Sequence, residues 1–241
     1  MEQTITFRLR GVRMGQVGML RVNGQPLAKL ALTAVWDDYA VRLPASAVRD
    51  GVNEFVFETE TAPISITWQD NYAIGDTGFV SPVDIAATGA GFDAGRFGEI
   101  FVAGRNVIEN RRGYHLVAIN PQNGAVDRVA SFDTFADAAE SARLAQFVAE
   151  LPRDELVAGV AIDEVSRNLQ PEAVGALRQL GVESDLRYQF RAGHAFIGVK
   201  GAQPGQAVER VDGRFPANVA VGKNVAGDRI AFALAGIAID R

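Results

Sequence analysis

Polar side chains follow the ends of two strand patterns, where a ligand can be bound through hydrogen bonds. Asp133 follows a strand pattern at 125–132, and Asp163 follows the continuous apolar run 156–162. Sheets often place ligands at strand ends, where carboxylates accept hydrogen bonds from hydroxyl groups. The same carboxylates can instead accept hydrogen bonds from backbone N–H groups in a loop or at the start of a helix. The predicted ligand contacts are Asp133, Asp163, Glu164, Ser166, Arg167, Arg191 and His194.

The chain offers few residues for covalent or metal chemistry. It contains no cysteine, which excludes thiolate ligands and cysteine nucleophiles. His115 and His194 lie in strand patterns and lack the spacing of zinc ligands. No serine lies in a nucleophile-elbow motif, and the adjacent Asp163 and Glu164 diverge on a strand instead of flanking a cleft. We therefore expect a protein without catalytic residues and without a cofactor.

Aromatic and acidic residues leave two further alternatives open. Flat aromatic faces bind sugar rings, although aromatic residues in strands more often belong to the core. The aromatic candidates are Trp36, Trp68, Tyr72 and Tyr188. Acidic turns offer oxygen ligands to a structural Ca²⁺ ion, and they are also common in ordinary turns. The acidic candidates are Asp37 with Asp38, and Asp70 with Asn71 and Asp76.

The composition is that of an ordinary globular protein. The 241 residues are 48% hydrophobic and carry a net charge of −5, which argues against a nucleic-acid partner. No apolar run reaches the roughly 18 residues of a membrane helix, and the start of the chain lacks a signal-peptide pattern. We expect the extracytoplasmic part of a larger protein, periplasmic, on the cell surface or secreted. We expect it to be tethered to a membrane protein and not to insert into a membrane itself.

The first part of the chain predicts a β-sandwich. Residues 4–10 and 39–43 alternate polar and apolar side chains, which is typical of half-buried strands. Asn23-Gly24 predicts a hairpin turn. Further strand patterns occur at 53–58 and 64–68. Short strands that follow one another this closely are typical of a sandwich. The order of these elements resembles the jelly-roll sandwiches of the galactose-binding-like group, which are common as accessory sugar-binding domains.

A glycine-rich stretch, 69–95, separates this region from a mixed α/β pattern. The predicted elements of that pattern are strands 114–119, 125–132, 156–162 and 194–200, a helix at 137–151, and a helix that begins at Pro171 and ends at Gly181. The strand-like end, 228–240, is expected to return to the sandwich, because residues 4–68 supply too few strands for a jelly roll. The predicted domains are 1–80, 81–222 and 223–241.

Seven short motifs occur in order between residues 84 and 222. They are DIAATG (84–89), RGYHLV (112–117), NGAV (123–126), FDT (132–134), VAIDEVS (160–166), LRQLG (177–181) and HAFIGVKG (194–201). Their order resembles the interleukin-like epithelial–mesenchymal transition inducer domain, also called the PANDER-like domain. His115 and His194 depart from the family pattern, in which Asn and Trp are common at these positions.

The resemblance implies a binding domain instead of an enzyme. The family occurs in secreted cytokine-like proteins, in hyaluronan-related cell-surface proteins and in the stem of a glycosyltransferase, where it resembles a module that presents a sugar substrate. We therefore expect a non-catalytic carbohydrate-recognition module of a larger glycan-handling, glycosyltransferase-like protein. The alternatives are a protein–protein interaction module that positions a partner, and an unrecognised hydrolase or transferase.

Overall fold

The computed structural model describes residues 3–11, 16–33, 36–59, 62–63, 66–223, 229–230 and 233–240. β-strands in several sheets dominate these residues, and helices are few, which confirms the predicted β-rich fold. The strands are β1 (Gln3–Arg10), β2 (Gln16–Val22), β3 (Gln25–Leu32), β4 (Asp37–Leu43), β5 (Phe55–Thr59), β6 (Ala62–Pro63), β7 (Ile66–Gln69), β8 (Ile85–Gly89), β9 (Gly98–Val102), β10 (Arg105–Asn106), β11 (Gly113–Ile119), β12 (Val126–Phe132), β13 (Leu156–Ile162), β14 (Gly193–Val199), β15 (Val208–Asp212), β16 (Ala217–Val221), β17 (Arg229–Ile230) and β18 (Ala233–Asp240). The helices are α1 (Ala139–Ala149), α2 (Pro171–Arg178) and a short 3-10 helix (Phe92–Ala94).

The chain divides into two compact units, residues 1–64 with 228–241 and residues 65–227. In the first unit, two three-stranded sheets have the orders β18-β1-β4 and β3-β2-β5. Asn23 and Gly24 join β2 to β3 with positive φ angles of 50° and 82°, which confirms the predicted hairpin turn. Strand β18 runs antiparallel to β1. The alternating apolar side chains of these strands form one core, made of Ile5, Phe7, Leu9, Leu20, Val22, Leu32, Val41 and Leu43.

The second unit contains two five-stranded sheets, with the orders β10-β9-β8-β16-β7 and β12-β11-β13-β14-β15. The second sheet is antiparallel throughout, and every residue of β11, β13 and β14 is buried. One face of this sheet packs on the other sheet, and its opposite face packs on the helices. Burial on both faces explains the continuous apolar runs and confirms the prediction made for 156–162. Of the strand predicted at 64–68, residues 64 and 65 lie outside the described residues, and β7 pairs with β16 in parallel.

Both predicted helices are present and pack through their apolar stripes. In α1, Leu144, Phe147 and Val148 are buried, as the helical spacing predicts. The Asp137 carboxylate accepts the Ala139 N–H at 2.9 Å, so Asp137 satisfies a donor at the start of the helix. The Thr134 hydroxyl, ahead of the helix, donates to the Val165 carbonyl at 2.8 Å. Helix α2 begins at Pro171, as predicted.

Glycines allow the segment after β8 to lie directly against the start of β14. A side chain at Gly91 would overlap the Arg191 carbonyl, and one at Gly193 would overlap the Gly89 carbonyl. This close backbone approach requires residues without a Cβ atom. It carries Phe92, the first residue of the 3-10 helix, to the end of the second sheet.

Candidate functional site

Four strand ends meet at one end of the second sheet. Gly113 pairs with Ile162, so the start of β11 lies beside the end of β13. Tyr114 pairs with Phe132, which ends β12, and His194 near the start of β14 pairs with Ala161. The register therefore brings together the residues that lie just beyond these strands. They are Arg112, Asp133, Asp163 and Arg191.

The segment that carries Phe92 is hydrogen-bonded to Asp163. The Asp163 N–H donates to the Ala90 carbonyl at 3.0 Å, and the Phe92 N–H donates to the Asp163 carbonyl at 2.7 Å. Asp163 has a φ of 67°, a left-handed conformation that aspartate adopts more readily than most residues. The backbone therefore leaves the extended conformation of β13 at Asp163, and the Asp163 side chain is only partly buried.

Arg112 and Asp133 form a bidentate ion pair. The Arg112 Nε lies 3.0 Å from Asp133 Oδ1, and its Nη2 lies 2.8 Å from Oδ2. Burial opposes ionisation of Asp133, but the Arg112 guanidinium and the Ala136 N–H hold the pKa of this carboxyl below its usual value. The Arg112 guanidinium also lies over the Phe135 ring, 4.5 Å from its centroid. The contact with the ring and the paired hydrogen bonds hold the guanidinium in place.

Further guanidinium groups stack on the two phenylalanine rings. Arg167 lies 5.2 Å from the centroid of Phe135, on which Arg112 is also stacked. Arg191 and Arg96 lie 4.1 Å and 4.7 Å from the centroid of Phe92. Such cation–π contacts stabilise exposed arginines without using up their hydrogen-bond donors. The guanidinium groups therefore keep donors for a ligand.

The Asp163 carboxylate is affected by two cations, Arg112 and Arg96, and by the carboxylates of Glu164 and Asp133. Among the described residues, none forms a hydrogen bond or ion pair with this carboxylate. Burial raises the pKa of the Asp163 carboxyl, while the positive charges of Arg112 and Arg96 act in the opposite direction. Asp163 therefore offers unused acceptors beside arginine donors. Together these groups define the arginine–phenylalanine surface, which consists of Phe92, Arg96, Arg112, Asp133, Phe135, Asp163, Arg167 and Arg191.

Two of the predicted ligand contacts make internal bonds instead. Glu164 is only 4% exposed, and its carboxylate accepts the N–H groups of Ser166 and Arg191, both at 2.6 Å. His194 is fully buried, with Nδ1 3.2 Å from the Tyr114 hydroxyl and Nε2 2.8 Å from Glu209 Oε1. Because these hydrogen bonds use both carboxylate oxygens and both ring nitrogens, we leave Glu164 and His194 out of the arginine–phenylalanine surface.

The structure brings the other predicted contacts to the same end of the sheet. Asp133, Asp163, Arg167 and Arg191 belong to the surface, and Ser166 is 8% exposed next to Arg167. Four members of the surface were not among the predicted ligand contacts, namely Phe92, Arg96, Arg112 and Phe135. Arg112 and Phe135 flank Asp133 at the ends of neighbouring strands, and this shared position was a usable signal.

Neither a metal cluster nor a membrane helix occurs in the part of the chain that the structure describes. No three histidine, aspartate or glutamate side chains converge there as metal ligands would. No described helix is long and apolar enough to cross a membrane. Among the acidic turns considered for Ca²⁺, Asp38 forms an ion pair with Arg8 at 3.2 Å. Asp37 and Asp38 begin strand β4, and Ca²⁺ binding by these acidic residues stays an untested alternative.

Comparison with known proteins supports the resemblance found in the motifs. Residues 112–202 match the family described as interleukin-like EMT inducer, which confirms the resemblance for this segment. Over 98 residues, the chain is 36% identical to the cell migration-inducing and hyaluronan-binding proteins of Homo sapiens and Mus musculus. This alignment covers 41% of the chain and only 7% of the length of each relative. The matched family segment contains Arg112, Asp133, Asp163, Arg167 and Arg191.

Proposed function

We propose that the chain is a non-catalytic glycan-recognition module that binds sugars at the arginine–phenylalanine surface. The observation that carries this proposal is the Asp163 carboxylate, which lies among the guanidinium groups of Arg112 and Arg96 and has no direct partner among the described residues. A sugar ring presents hydroxyl groups at its edge, each of which both donates and accepts hydrogen bonds. Neighbouring carboxylate acceptors and guanidinium donors match this pattern.

The phenylalanine rings supply the second element of sugar recognition. A sugar ring also has an apolar C–H face, which packs on an aromatic ring. Phe92 is 36% exposed, and Phe135 is partly buried between Arg112 and Arg167. Because the aromatic and polar groups alternate, one sugar can contact both kinds of group. Ligand pockets of this type combine apolar surface with a few fixed polar groups.

The relatives support a glycan as the ligand class. They are named as hyaluronan-binding proteins, and hyaluronan is an acidic glycan. Arg96 and Arg167 form no ion pair with any other described residue, so both cations are available for a carboxylate of the ligand. We therefore choose hyaluronan oligosaccharides as the first probes and neutral N-acetylglucosamine oligosaccharides as the second.

A titration of the full chain with both oligosaccharide series tests this function. We expect saturable binding that Arg112→Ala weakens by about tenfold or more, because a charge-assisted hydrogen bond is lost. Arg128→Ala is the matched control, because Arg128 also stacks on a phenylalanine, Phe147, at 4.6 Å and pairs with Glu150 at 3.0 Å. Equal losses of binding affinity in Arg112→Ala and Arg128→Ala, or no binding of either oligosaccharide series, would contradict the proposal.

The setting of the module is part of the same proposal. The chain is the extracytoplasmic part of a larger glycan-handling, glycosyltransferase-associated protein, tethered to the membrane only through that protein. Its first unit is a jelly-roll sandwich, and the mixed α/β domain is inserted between that sandwich and its last strand. The antiparallel pairing of β18 with β1 supports this arrangement. Cell fractionation of the full-length parent protein tests the proposed extracytoplasmic location.

A further inference from the structure

Two strongly exposed aromatic side chains continue the arginine–phenylalanine surface. The Arg191 guanidinium lies 4.1 Å from the centroid of the Phe92 ring and 4.7 Å from that of the Phe190 ring. Phe190 is 67% exposed, and Tyr188 in the same segment is 89% exposed. The Phe92 and Phe190 rings therefore share a contact with one guanidinium group, that of Arg191.

The segment that carries these rings is held by several hydrogen bonds. The Gln189 N–H donates to the Leu186 carbonyl at 3.1 Å, and the Gln189 side chain donates to the Asp185 carbonyl at 3.0 Å. Arg187 forms a bidentate pair with Asp185, with Nη2 2.6 Å from Oδ2. Glu164 accepts the Arg191 N–H at 2.6 Å. The backbone is thus fixed, and a ligand that binds these rings need not order a flexible loop.

We propose that Phe190 and Tyr188 form an outer subsite that binds additional sugar rings of an oligosaccharide. This inference rests on the proposed function and names the ligand class more closely as a linear glycan longer than the arginine–phenylalanine surface alone can hold. Exposed aromatic side chains cost free energy in water, and a sugar face removes them from water. The Arg191 guanidinium between Phe92 and Phe190 supplies donors to hydroxyl or carboxylate groups where two sugars meet.

A glycan fits this surface better than an apolar protein segment does. A protein partner is expected to cover a contiguous apolar patch, whereas charged groups interrupt the aromatic rings here. Arg191 lies between Phe92 and Phe190, and Arg187 lies 5.9 Å from the centroid of Tyr188. Alternating polar and aromatic groups instead match a chain of sugar rings, each with one apolar face and polar edges.

Titrations with oligosaccharides of increasing length test the outer subsite. In the full wild-type chain, we expect affinity to rise with the length of the oligosaccharide within the series that binds. In Phe190→Leu and Tyr188→Ala, the ratio of affinities between the longest and shortest oligosaccharides should fall by about fivefold, the effect of losing one useful contact. Phe190→Tyr keeps the aromatic face and should restore the wild-type ratio. Val129→Ala changes an exposed side chain in the middle of β12 and is the control.

Two outcomes would overturn the outer subsite while leaving the proposed function intact. One is wild-type affinity that does not depend on length, and the other is an unchanged length ratio in both Phe190→Leu and Tyr188→Ala. The second outcome would favour a protein partner over a sugar as the ligand of the exposed rings. If no oligosaccharide binds the wild-type chain, the proposed function and the outer subsite fall together, so the two failures are distinguishable.

Discussion

The Glu164 carboxylate joins its own loop to the loop that carries Arg191. Its Oε1 accepts the Ser166 N–H and its Oε2 accepts the Arg191 N–H, both at 2.6 Å. Arg191 has a φ of 60° and Asp163, next to Glu164, has a φ of 67°. Left-handed conformations of residues other than glycine cost free energy and persist where the surroundings hold them. One buried side chain therefore holds both sides of the arginine–phenylalanine surface in position.

Substitution of this carboxylate is expected to affect both folding and binding. Glu164→Gln replaces one acceptor oxygen with an N–H donor that faces a backbone N–H. We expect the free energy of unfolding to fall by about 1–3 kcal/mol, and glycan binding to weaken because Arg191 is no longer fixed. Denaturant unfolding and titration measure the two effects. Glu183→Gln, at an exposed position, should change stability by less than about 0.5 kcal/mol; unchanged stability in Glu164→Gln would refute this role.

Gly91 provides a test of the close approach beneath the surface. A Cβ atom at this position would overlap the Arg191 carbonyl, so Gly91→Ala should destabilise the chain by about 1–3 kcal/mol and displace Phe92 from Arg191. The matched control is Gly175 in α2, where an added Cβ atom meets nothing within 4 Å. Gly175→Ala should stabilise the chain by about 0.5–1 kcal/mol, because alanine favours the helix. Equal thermal stabilities of the two variants would argue against the close approach.

Asp163 is expected to favour binding at the expense of stability. Burial raises the pKa of its carboxyl above the ordinary value of 3.8. A raised carboxyl pKa stabilises the fold at low pH, and this contribution is lost as the pH rises through the folded-state pKa. At neutral pH, Asp163→Asn should therefore increase the free energy of unfolding and weaken glycan binding. Asparagine also tolerates the positive φ. A loss of stability at neutral pH would contradict this explanation.

His115 is expected to make stability depend on pH. It is 2% exposed, its Nε2 lies 2.7 Å from the Arg111 carbonyl, and burial lowers its pKa from the ordinary 6.5. A lowered pKa stabilises the fold above the unfolded-state value, and this contribution is lost as the pH falls through the folded-state value. His115→Asn should therefore reduce the loss of unfolding free energy between about pH 7 and pH 5. An identical pH profile in the two proteins would exclude this role of His115.

The sequence predicts the strands and helices because their periodicity follows directly from burial. The continuous apolar run 156–162 and the stripe that contains Leu144 and Phe147 both lie where two layers of the fold cover them. Asp133 and Asp163 were each predicted from a strand end, and they lie at the same end of one sheet because β12 and β13 both pair antiparallel with β11. These features depend on local patterns or on the order of strands.

The rest of the surface depends on contacts that no local pattern reveals. Phe92 and Arg96 reach Asp163 only because Gly91 allows a close backbone contact with Arg191, far away in the sequence. Glu164 was predicted to contact ligand, but its buried carboxylate accepts the backbone N–H groups of Ser166 and Arg191. His194 lies in a strand that is buried on both faces, where a polar side chain needs internal partners.

The most direct measurement is to map backbone amide shifts by NMR while the full chain is titrated with the oligosaccharide probes. The proposed function predicts saturable shifts at Arg112, Asp163 and Arg191 and in the segment around Phe92, with Phe190 joining them for the longer oligosaccharides. Arg128 and Glu150, which form a similar ion pair elsewhere in the same unit, should not shift. Shifts that cluster outside the arginine–phenylalanine surface and its outer subsite, or no shifts with either series, would contradict the proposed glycan site.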